Sequence, residues 1–98
     1  MATNQPTTWK VALAADLRWR FWDGLFVVYS PASGDTHLLN PVAGETLLCL
    51  QQAPGDLAEV TRRVAARLEL DPDDQLPERL RGFLVELENF GLIEAVPP

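Results

Sequence analysis

His37 and Cys49 are the only histidine and the only cysteine in this 98-residue chain. A thiolate beside an imidazole would make a nucleophile with its base. Here the two are separated by a helix start at Asn40-Pro41, and no local motif joins them. His37 alternates with Thr36 and Leu38 on a strand, where a structural or solvent-facing role accounts for it. Cys49 stands among Leu47, Leu48 and Leu50, as a buried small hydrophobe does. Asp71, Asp73 and Asp74 cluster, but the segment lacks the spaced oxygens, central glycine and terminal glutamate of a calcium loop. Capping of the helix that follows explains Asp73 or Asp74. "SPASG" is too short to cradle a phosphate. The residues therefore predict no catalytic group, no metal, no cofactor and no enzyme.

The charge balance narrows the partners. Net charge is −6 and the pI about 4.5, whereas nucleic-acid binding draws its affinity from basic surface. Arginines gather at Arg18/Arg20, Arg62/Arg63/Arg67 and Arg79/Arg81, the last two groups with acidic neighbours. A winged-helix DNA-binding protein would have to use Arg62, Arg63 and Arg67 as its recognition surface, against that balance. No nucleic acid is expected. No apolar stretch is long enough to span a membrane. The N-terminus has no basic region followed by an apolar block, and a single cysteine fits a reducing compartment. A cytoplasmic location is expected.

Any binding residues must be positioned by a small α+β domain. Residues 1–16 are set apart as a flexible or weakly structured segment, "WKVALAADL" being ambiguous between strand and helix. In "LRWRFWDGLFVVYS", Asp23-Gly24 supplies the positive-φ pair of a type I′ turn. Pairing outward sets Trp22 opposite Leu25, Phe21 opposite Phe26 and Trp19 opposite Val28. One face then carries Trp19, Phe21, Phe26 and Val28, and the other is mixed. The loop at 31–34 returns the chain as a third strand, 35–39, completing an antiparallel meander. Three helices follow. Asn40-Pro41 opens the first, through about Gln52. Asp56 and Glu59 cap the second, whose stripe is Leu57, Val60, Val64 and Leu68. The third runs from about Pro77 to Phe90 and stops at Gly91, and "LIEAV" could add a short strand.

Two features of this plan concern binding. The third strand, Asp35, Thr36, His37, Leu38 and Leu39, carries no Lys, Arg or Pro, the residues that blunt an exposed edge, while Arg18 and Arg20 guard the first. The last helix has two adjacent stripes. Leu80, Leu84 and Leu87 are core. Arg79, Phe83, Glu86 and Phe90 mix aromatics with charges, either as the wall of a groove or as the flank of a wide apolar face.

"WDGLFVVYSPASGDTHLLNPVAGETLLCL", residues 22–50, two helices and the closing "ELENFGLIE" resemble the PqqD-like family of peptide chaperones. The segment "YSPASGDTHLLNP" is similar to the branch that accompanies an HPr-kinase-related protein. The resemblance covers about Trp19 to Glu94 and implies a winged-helix-like domain over 17–96. It implies binding of the leader segment of a ribosomally made precursor peptide, presented to a modifying or HPr-kinase-related enzyme. The peptide would add as a strand beside Asp35–Leu39 and lie against Arg79, Phe83, Glu86 and Phe90. A structural subunit of an HPr-kinase-like enzyme is the alternative. Monomer and homodimer are both compatible.

Overall fold

Asp23 and Gly24 take φ values of 54° and 76°, the pair a type I′ turn needs. In the computed structural model, which describes residues 7–12, 16–31, 33–71 and 75–96, they join β2 (Arg18–Trp22) to β3 (Leu25–Ser30). The register is the expected one: Trp22 faces Leu25, Phe21 faces Phe26 and Trp19 faces Val28. The next loop closes with the Gly34 N–H donating to the Ser30 carbonyl at 2.8 Å, Gly34 taking φ 78°. β4 (Asp35–Leu39) then pairs antiparallel with β3. On the inner face Val28 and Leu39 are buried, and Trp19 and Phe21 meet the Phe26 ring edge-to-face.

The helices start where the chain offers caps. Asn40 Oδ1 accepts from the Ala43 N–H at 2.8 Å and Pro41 leads α1 (Pro41–Gln52). Inside α1, Gly44 lies against Phe26 of β3, and a Cβ there would overlap the ring. That contact explains a glycine in a helix interior, where it costs about 1 kcal/mol relative to alanine. Asp56 and Glu59 exchange hydrogen bonds in a full capping box at the start of α2 (Leu57–Leu68). Val60 and Val64 of the expected stripe are buried, with Leu57 and Leu68 packed beside them.

α3 (Gln75–Asn89) begins two residues before the expected Pro77. Proline is tolerated there because the first-turn N–H groups have no intrahelical acceptor in any case. Leu76, Leu80, Leu84 and Leu87 turn into the core. The helix ends in a Schellman motif: Gly91 (φ 79°) donates to Glu88, and Leu92 donates to Leu87. Leu92 and Leu87 are both buried, supplying the apolar contact of that motif.

A second sheet ties the ends of the domain together. β1 (Thr8–Val11) lies between β5 (Gly55–Asp56) and β6 (Ile93–Val96), antiparallel to both. The terminal strand expected from "LIEAV" is β6. Of the segment set apart as 1–16, Thr8–Val11 is strand, Trp9 and Val11 pack on the core, and Lys10 pairs with Glu94 at 3.3 Å. Residues 1–6 and 13–15 lie outside the described residues. The whole is an α+β, winged-helix-like arrangement of an antiparallel meander and three helices. No described helix is long and apolar enough to cross a membrane.

Candidate functional site

β4 is the last strand of the order β2-β3-β4, and among the described residues no strand pairs with its far side. Which of its groups face that side follows from the hairpin. A two-residue type I′ turn makes the flanking pair, Trp22 and Leu25, hydrogen-bonded, and bonding alternates from there. Leu25, Val27 and Tyr29 therefore bond to β2, and Phe26, Val28 and Ser30 to β4. Their partners are Leu39, His37 and Asp35. Thr36 and Leu38 are left with N–H and C=O turned to the open side. That edge offers two donors and two acceptors.

The C-terminal half of α3 lies alongside. His37, on the inner face of β4, stacks on Phe90 with ring centroids 4.6 Å apart and planes 25° from parallel. Its Nε2 is buried and has no hydrogen-bond partner among the described residues. Beside this stack a groove of about 70 Å³ is lined by Leu38, Leu39, Asn40 and Ala43 on one side and by Phe83, Glu86, Leu87 and Phe90 on the other. That is roughly twice the share of liquid volume held by one water. It suits the tip of one side chain from a segment lying along the edge.

Of the residues expected at a site, Leu38, Leu39, Phe83, Glu86 and Phe90 share this groove, with His37 stacked behind it. Asp35 and Thr36 continue the strand away from the groove. Arg79 is on the same stripe of α3 but lies eleven residues from Phe90, about 16 Å along the axis. It borders a separate hollow with Leu70, Asp71, Gln75 and Leu76. Asn40 and Ala43 are groove residues that sequence reasoning missed. Their signal was the Asn40-Pro41 start itself, since the first turn of α1 must follow directly on β4.

The geometry keeps His37 and Cys49 in separate settings. Cys49 is buried on α1, and burial, with the Glu45 carboxylate adding, pushes its thiol above the usual range while Arg67 and Arg63 pull the other way. A thiol held protonated is a poor nucleophile. Among the described residues no group of three or more His, Cys, Asp or Glu side chains is placed to hold a metal.

Comparison with known proteins gives one family and one solved structure. The family described as "Coenzyme PQQ synthesis protein D (PqqD)" matches residues 26–93. A chain from the structure of TbiB1 in complex with the TbiA(beta) leader peptide is 21% identical, with a TM-score of 0.67. The similarity covers 91% of this chain and 99% of that one, and at this identity it is a similarity of fold. No curated protein matches.

Proposed function

This chain belongs to the PqqD family, and from that premise we propose that it is a non-catalytic peptide-binding chaperone. It captures the leader segment of a ribosomally synthesised precursor peptide as a fourth strand beside β4 and presents it to a modifying enzyme. The observation that carries this is the open side of β4, with Thr36 and Leu38 facing outward beside the Phe83–Glu86–Phe90 wall. Main-chain bonds to Thr36 and Leu38 supply affinity, and alternate side chains of the peptide supply specificity. TbiB1, similar in fold, is itself in complex with a leader peptide.

The docking residues are Asp35 to Leu39 along the strand and Phe83, Glu86 and Phe90 along the helix, with Arg79 reached by a peptide that runs on toward the start of α3. "YSPASGDTHLLNP", residues 29–41, supports a finer reading, in which the enzyme served is an HPr-kinase-related protein.

Hydrogen exchange with the synthetic leader segment of a candidate precursor peptide tests the docking edge. Amides of Thr36 and Leu38 exchange fast in the free protein and slow down on binding. Those of Trp19 and Phe21, which face outward on β2, do not change. Protection on β2 instead, or none on either strand despite binding, defeats the reading.

A further inference from the structure

We propose that the outer face of the β2-β3-β4 sheet is a second docking surface, for a protein partner whose contact patch sets carboxylates among apolar side chains. Trp22 and Leu38 stand on this face 70% and 66% exposed, with Leu25 and Tyr29 also open to solvent. Arg18 and Arg20 lie among them and make no ion pair among the described residues. The register puts every strand residue of this face in view, and none is Asp or Glu: Asp35 belongs to the inner face.

Charge selects the occupant. On a chain of net charge −6, a partner bearing carboxylates meets net repulsion. Two arginines without an ion pair among the described residues, on a face free of strand carboxylates, favour its approach here, which orients it. Arg18, Arg20, Tyr29 and Thr36 border a hollow of about 300 Å³, enough for an acidic side chain to reach either guanidinium. Exposed Trp and Tyr beside Arg is the residue mix that carries most interface energy.

The surface also continues into the peptide site. A strand added to β4 extends this sheet, so alternate side chains of the peptide would emerge beside Thr36 and Leu38. A partner seated here touches chaperone and peptide at once. This continuity rests on the strand-addition reading; the face and its charge do not.

The test produces each protein encoded beside this gene separately and titrates it onto the full chain, with and without the leader segment of a candidate precursor peptide. One of them is expected to bind, and to lose roughly tenfold or more in affinity to the Arg18→Glu/Arg20→Glu variant. That variant keeps the parent's circular dichroism and binds the precursor peptide within about twofold of it. Trp22→Ala, which changes no charge, weakens the same protein complex. The proposal is overturned if the double variant leaves every complex intact or loses the peptide as severely as the protein. It is also overturned if what the variant abolishes is binding of a DNA duplex or a dimer of this chain. A protein that binds through Arg18 and Arg20 while no peptide binds at all upholds the outer face and removes the strand-addition reading.

Discussion

Replacing Leu38 with proline tests the open edge at a single atom. The Leu38 N–H points away from β3, so the ladder between β3 and β4 keeps all its bonds. The side chain is 66% exposed, and little packing is lost. Proline is accepted on an edge strand whose N–H faces outward, so the folded state should lose no more than about 1 kcal/mol. The bound peptide fares worse. One of its carbonyls loses its donor and meets the ring, and an unmet buried acceptor costs about 1–3 kcal/mol. That corresponds to roughly 5- to 150-fold in Kd. His37→Pro is the contrast, because its N–H belongs to the ladder and its ring stacks on Phe90. Losing both should cost about 2 kcal/mol of stability. Calorimetric titration with the leader peptide and urea unfolding of each variant read the two effects separately. Leader binding by Leu38→Pro within about twofold of the parent refutes edge pairing. A larger loss of stability in Leu38→Pro than in His37→Pro refutes the assignment of which residues face outward.

Gly44→Ala drives a methyl group into the Phe26 ring and should destabilise the domain by about 1–3 kcal/mol in urea unfolding. Phe26→Leu in the same chain should recover part of that loss. Phe83→Ala should weaken leader binding by about 1–2 kcal/mol, and its own unfolding curve separates that effect from core loss, since Phe83 also packs on the core. The Cys49 thiol is held protonated by burial, with Glu45 contributing, so its pKa is higher folded than unfolded. Its contribution to stability is complete below the ordinary thiol value, falls as pH rises from there through the raised value, and vanishes above it. Parent and Cys49→Ala should therefore diverge in alkaline unfolding curves, and native Cys49 should react with thiol reagents only as fast as the protein opens.

The hairpin was legible because Asp23-Gly24 allows one turn type, and that turn dictates every pair and face of β2 and β3. The helix boundaries at Asn40, Asp56 and Gly91 were legible for a similar reason: each residue satisfies backbone groups within one turn of itself. What escaped depends on distant partners. Thr8–Val11 becomes a strand only because Gly55 and Ile93 come to either side of it, and nothing local distinguishes it from helix. Gly44 is explained by Phe26, a residue of another element. The start of α3 was set too late because Pro77 was read as the first helical residue, though its missing N–H does no harm anywhere in the first turn. Helical spacing puts Arg79, Phe83, Glu86 and Phe90 on one stripe. It does not say how far along that stripe β4 reaches, and β4 meets only the C-terminal part.

Thr8 and Val96 are paired neighbours at one end of the β1–β6 ladder. Thr8 and Val96 therefore lie within a strand's width of each other, in the sheet that does not contain β4. A body with that geometry can be spliced into a surface loop of a larger protein almost without a spacer, since host ends a few ångströms apart would meet its own. The insert would bring along its free edge on β4, already folded. The same proximity means that β1 and β6 can be bridged from Thr8 to Val96 and the chain reopened at Asp23-Gly24 with the strand order in space unchanged.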